Sequence, residues 1–145
     1  MIVKKVEKST SEINPQMCPL MRLLVISRKL GKLFKKKFDK LNVTQSQVSI
    51  LLMLSETGEI AQSFIGKHLQ LERSTVSRDL VRLIDKGYLL KSANGVSPMI
   101  VLTKEGVKMT KLIAIEWRKG YTEAFDLLGE KGMTAINDLE LTMKT

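Results

Sequence analysis

The chain has 145 residues, a length that fits a single domain. Its 24 Lys and Arg against 15 Asp and Glu leave a formal charge of +9, which points to an anionic partner such as nucleic acid. It has no apolar run of the roughly 18 residues a membrane span needs, no apolar core of a secretory signal in residues 1–16, and one cysteine, so a cytoplasmic protein without a membrane partner or internal disulfide is expected.

The charge is uneven along the chain. Residues 1–42 carry eleven basic and three acidic side chains, residues 43–91 six and five, and residues 92–145 seven of each. Residues 1–14 have no sustained apolar period and read as a frayed or extended arm. A first helix is expected from Pro15–Pro19 to about Lys40, since proline suits a first helical turn. Leu20, Leu23/Leu24, Leu30, Phe34, Phe38 and Leu41 form its apolar stripe, and Arg22, Lys29, Lys32, Lys36 and Lys40 gather on one side. That basic side reads either as a solvated face or as a source of long-range attraction to DNA. Cys18 stands at the start of this helix, one turn before Arg22. It reads either as a small apolar residue in a subunit interface or as a thiol placed for oxidation.

Thr44 and Gln47 have the spacing of a capping box for a second helix, which Gly58 ends; Val48, Leu51 and Leu52 are its inner residues. Residues 61–86 then read as a short helix, a tight turn and a longer helix. In the short one Phe64, Ile65 and Leu69 face inward, and Gly66 permits close approach of a crossed helix. Ala61 is a poor start residue, so Ser63 is a possible cap two residues later. In the longer one Val76, Leu80, Leu83 and Ile84 recur at helical spacing, while Ser74, Arg78 and Arg82 fall on about the opposite face with Thr75 and Ser77 beside it. Hydroxyls and guanidinium groups held out by a core-packed helix are the types that contact phosphates and base edges. Ser63 and Arg73 complete the candidate DNA-contacting set.

Tyr88–Lys91 and Met99–Leu102 follow as a short extended pair, with Asn94-Gly95 as the turn between them. Thr103 then caps a long helix with Met109, Leu112/Ile113, Trp117, Tyr121, Ala124/Phe125 and Leu128 on its period. Gly129 and Gly132 break it before a last helix over about 133–143. The predicted fold is therefore mainly α with a small β-wing: a winged helix-turn-helix over 43–102, flanked by dimerisation helices at 15–42 and 103–145, all within one domain spanning 1–145. Such a long apolar stripe calls for a covering partner, and a homodimer in which the first and fifth helices pack together is expected.

The order LNVTQSQVSILLML, GEIAQSFIGKHLQLERSTVSRDLVRLIDKGYL and VLTKEG resembles the MarR family of bacterial winged-helix regulators, over roughly residues 17–130. The resemblance implies a homodimeric repressor whose two recognition helices enter successive major grooves of a pseudo-palindromic operator, released by a small molecule or by oxidation. It also implies a cleft for a small aromatic or phenolic ligand, for which Trp117, Phe34 and Met53 are possible lining residues, although each also suits the core. Two departures stand out. The wing tip, Ser92 to Pro98, has no Lys or Arg where the family commonly carries an arginine for the minor groove. Cys18 lies farther from Leu41–Thr44 than in the hydroperoxide-sensing branch, and no tyrosine follows it on the first helix.

Enzyme signatures are missing. There is no phosphate-binding glycine loop and no His/Cys set with metal spacing, and a pairing of Cys18 with His68 would lack a third, orienting group. No catalytic residue, cofactor or metal is expected, and His68 reads as a polar residue near a phosphate. Two alternatives to a ligand-released regulator remain. One is a redox sensor switched by Cys18; the other is a winged-helix protein-interaction module that does not bind promoters.

Overall fold

The computed structural model describes residues 14–92 and 98–144. The chain forms two compact units, Met1–Lys32 and Leu33–Thr145. In order, a 3-10 turn over Pro15–Met17 precedes α1 (Pro19–Phe38), and a second over Asp39–Leu41 precedes α2 (Gln45–Thr57). Then come β1 (Ile60–Ala61), α3 (Gln62–Leu69), α4 (Arg73–Asp85), β2 (Leu89–Lys91), β3 (Met99–Leu102) and α5 (Lys104–Met143). This is the expected helical frame with a small antiparallel sheet, of strand order β1-β3-β2. The expected N-terminal arm, but for Asn14, and the wing tip over 93–97 lie outside the described residues.

In the first unit the described residues hold the opening turns of α1. Leu20, Met21, Leu23, Leu24, Val25 and Ile26 are all exposed. Cys18 is half-buried, and its carbonyl accepts the amide of Arg22 at 3.1 Å.

The second unit contains the core. Phe38, Val48, Ile50, Leu51, Leu54, Ile65, Leu83, Leu89, Ile100 and Ile113 are buried almost completely, each contributing about 1.5–3 kcal/mol by removal from water. Because these side chains come from every helix and both wing strands, α4 is held from several sides at once. The local signals behave as the residues dictate. Thr44 caps α2: its hydroxyl accepts from the Gln47 amide, and the Gln47 side chain accepts from the Thr44 amide. Thr103 caps α5 by accepting from the Gly106 amide at 2.9 Å, and its hydroxyl donates to the Gly87 carbonyl. Gly66 approaches the helix that follows, since a β-carbon there would lie 3.4 Å from a methyl of Val76.

Three expectations are corrected. The helix α3 begins at Gln62, with Ala61 as its cap residue and Ser63 inside its first turn. The Gln62 amide is satisfied by the carbonyl of Pro98 at 2.9 Å, so the neighbouring wing backbone takes the place of a capping side chain. The inner face of α5 is also narrower than the expected stripe, of which it keeps Ile113 and Ala124 as buried and Met109 and Leu128 as half-buried residues. Gly106, Thr110, Ile113, Gly120 and Ala124 are buried, while Leu112, Trp117, Tyr121 and Phe125 are exposed. Small residues allow this: Phe34 packs over Gly120, where a β-carbon would stand 2.7 Å from the ring. Finally, Gly129 breaks α5 with φ 64° and ψ 180°, and the helix resumes at once rather than near residue 133.

Candidate nucleic-acid interface

The helix α4 separates its residues by chemistry. Val76, Asp79, Leu80 and Leu83 are buried, Thr75 and Ile84 half-buried, and Arg73, Ser74, Ser77, Arg78 and Arg82 exposed. At about 100° per residue this is the division the apolar period predicts, apart from Asp79. The exposed set forms one surface of hydroxyl and guanidinium groups. Within it the Arg78 Nε donates to the Ser74 carbonyl at 3.3 Å, a bond that uses one of the five guanidinium donors of this exposed residue.

Two pockets flank this surface. One, of about 630 Å³, lies between the start of α3, the turn after it, the start of α4 and Pro98. Ser63, Lys67 and Arg73 line it over a floor of Gly66, Leu71 and Val76. It therefore brings Ser63 and Arg73 together, and adds Lys67, which the sequence did not single out. The second, of about 310 Å³, holds Arg82 with Lys86, Asp39, Asn42, Thr44 and Gln47. Here Lys86 Nζ donates to the Asn42 carbonyl at 2.5 Å, so a second cation stands beside Arg82. The only sequence signal for Lys86 was its spacing of i+4 from Arg82.

The turn between α3 and α4 is made without glycine. Gln70 adopts φ 53° and ψ 39°, and the Leu71 amide returns to the Gly66 carbonyl at 3.0 Å. His68 is exposed and stacks on Phe64 with ring centroids 5.6 Å apart, so Phe64, expected to face inward, lies instead on the outer side of α3.

The residues named for a ligand cleft have other occupations. Met53 is a core residue, Phe34 stacks on Phe38, and Trp117 stacks on Tyr121 at 5.1 Å. On α5, Glu116 pairs with two lysines and feels the charge of a third. The Lys119 side chain donates to its Oε1 at 2.5 Å, Lys40 Nζ stands 3.8 Å from Oε2, and Lys37 pairs with Glu123 two turns further along the helix. The hydrogen bond from Lys119, reinforced by the charges of Lys119, Lys40 and Lys37 against the cost of burial, holds the Glu116 carboxyl below its ordinary value.

Residues 43–95 match the model of the MarR family. An organic hydroperoxide resistance transcriptional regulator of Bacillus subtilis (strain 168) is 31% identical over 98 residues, 66% of this chain and 65% of that protein. The match thus spans just under two thirds of that relative's length. Among solved structures, a probable transcriptional regulator from Pseudomonas aeruginosa superposes with a TM-score of 0.80 at 19% identity, covering 90% of this chain and 99% of that one. A Bordetella bronchiseptica BpsR structure, whose work concerns regulation of its DNA binding by 6-hydroxynicotinic acid, also gives 0.80, at 18% identity and with 90% and 97% covered. At such identities the structural matches show a shared fold.

Proposed function

This chain belongs to the MarR family, and from that premise we propose that it is a sequence-specific regulator of transcription that binds double-stranded DNA. The observation that carries the reading is the surface of α4, where Ser74, Ser77 and Arg78 are exposed on a helix whose other face is anchored in the core. Such a helix fits the major groove, with Arg78 suited to a guanine edge and Ser74, Thr75 and Ser77 to bases and phosphates. Arg73 and Lys67 at one end and Arg82 and Lys86 at the other suit the flanking phosphates.

The acting species in this proposal is a homodimer on a pseudo-palindromic operator. Exposed Trp117, Tyr121 and Phe125, three aromatic rings in contact along one side of α5, support it, since an apolar patch left in water marks an interaction surface. Repression relieved by a small aromatic or phenolic ligand is part of the same proposal, and the regulation of BpsR DNA binding by 6-hydroxynicotinic acid is an instance of such chemistry on this fold. Selection of bound sequences from random DNA tests the reading. A recovered inverted repeat, bound far more tightly than scrambled DNA, supports it. A protein without sequence preference would be a winged-helix interaction module instead.

A second reading rests on Cys18. It is half-buried at the start of α1, and the B. subtilis relative is named for organic hydroperoxide resistance. In this reading oxidation of the thiol to a sulfenic acid or mixed disulfide displaces α1 and releases the operator. Peroxide should then release the wild-type protein and leave the Cys18→Ser variant bound. Equal behaviour of the two assigns the signal to a ligand.

A further inference from the structure

The one polar residue on the inner face of α4 is Asp79, 4% exposed. Both carboxylate oxygens are engaged by the first turn of α2. Ser46 Oγ donates to Oδ2 at 2.5 Å and Gln47 Nε2 donates to Oδ1 at 3.1 Å. These donors are not independent. Gln47 is the residue whose other side-chain atom, Oε1, accepts the Thr44 amide, and Ser46 Oγ lies 3.2 Å from the Thr44 hydroxyl. The capping box of α2 and the midpoint of α4 are therefore one closed hydrogen-bonded ring. The anionic side chain also lies against the positive end of α2, where charge and helix dipole agree.

We infer that Asp79 is a positioning residue that fixes the rotation of α4 about its own axis, and with it which side chains face the DNA. This rests on the DNA-binding reading above. The rest of the inner face is Val76, Leu80 and Leu83, and apolar packing is non-directional. Two hydrogen bonds to one carboxylate are directional. With side chains about 5–6 Å from the helix axis, a rotation of about 20° carries a side-chain tip some 2 Å. A base contact tolerates less than that, while a phosphate contact made by a long lysine or arginine adjusts. Loss of the ring should therefore remove discrimination between sequences and spare general affinity for DNA.

The test compares D79L, D79N and S46A with the wild type. Affinities for the selected operator and for scrambled DNA are measured across salt concentration, alongside thermal unfolding. The D79L side chain fills the site without accepting either hydrogen bond. It should lower the operator-to-scrambled affinity ratio at least tenfold, with scrambled-DNA affinity and the salt slope kept within about twofold. The D79N side chain can still pair with both Ser46 and Gln47, and should restore most of the ratio. S46A touches only α2 and should lower the ratio about threefold; it decides the matter if D79L does not fold. A merely structural role predicts lower unfolding temperatures with the ratio unchanged in folded protein, and that result in D79L or S46A overturns the inference. Wild-type protein that does not discriminate at all overturns the DNA-binding reading and this inference with it.

Discussion

Gly106, on the first turn of α5, lies directly beneath the carbonyl oxygen of Tyr88, so close that a β-carbon at residue 106 would fall 2.1 Å from that oxygen. The same carbonyl accepts the Thr103 amide at 3.0 Å, so it cannot turn away without breaking the junction between wing and helix. Gly106→Ala should therefore force backbone apart and cost about 1–3 kcal/mol, as overpacking does. Chemical denaturation checks the stability. Because Tyr88 leads into β2, operator affinity should fall by more than the loss of folded protein explains.

Arg78 and Arg82 should fail differently on truncation. Arg78→Ala should cost about 1–3 kcal/mol on the selected operator and relax preference at one position. Arg82→Ala should weaken all sequences alike and lower the salt slope by roughly one unit. Since Lys86 stands in the same pocket, the general loss from Arg82→Ala should deepen in the double variant with Lys86→Ala. Binding titrations at several salt concentrations separate these outcomes; a uniform loss from Arg78→Ala would reassign that residue to the phosphates.

The ion pairs on α5 set a pH dependence. Folding lowers the Glu116 carboxyl below 4.5, chiefly through the Lys119 hydrogen bond, so the folded state favours the charged form. A depressed carboxylate contributes stability that is present above its unfolded value and lost as pH falls through the folded one. Glu116→Gln should therefore be less stable than wild type near neutral pH, and the difference should close as pH drops below 4.5. Thermal unfolding of both proteins across that range is the measurement. A difference that is constant with pH would assign the effect to packing.

The uncovered side of α5 should belong to a subunit interface. Tyr121 and Phe125 are in ring contact at 6.4 Å and both are exposed, so a charge there opposes association without disturbing the core. Phe125→Asp should yield a folded monomer by sedimentation, and its operator affinity should fall steeply because two linked half-sites no longer bind together. Full-length wild type that sediments as a monomer at micromolar concentration would refute this prediction.

Much of the frame was legible because it rests on local rules. Thr44 and Thr103 announce helix starts through hydroxyl caps, and the spacing of Val76, Leu80 and Leu83 fixes the inner face of α4. What escaped depended on contacts distant in sequence. The start of α3 at Gln62 requires the Pro98 carbonyl, 36 residues away, and the two-residue strand β1 exists only by pairing with β3. Asn42 and Gln70 adopt left-handed conformations that neither glycine nor an evident turn motif foretold. Asp79 could have been found. At i+3 from Val76 and i−4 from Leu83 it sits inside the apolar stripe, and a carboxylate there demands buried donors. The candidate contact residues on α4 were readable from periodicity, whereas Lys67 and Lys86 needed the pockets that tertiary packing creates.

The bond from the Gln62 amide to the Pro98 carbonyl has a consequence for how motion in the wing can be followed. The first amide of α3 is shielded only while Pro98 is in place, because Ala61 supplies no side-chain acceptor of its own. Hydrogen exchange at that single amide therefore reports the seating of the wing base. A duplex that presses the wing onto the protein should slow it, and an effector that lifts the wing should hasten it, before the helix itself unwinds.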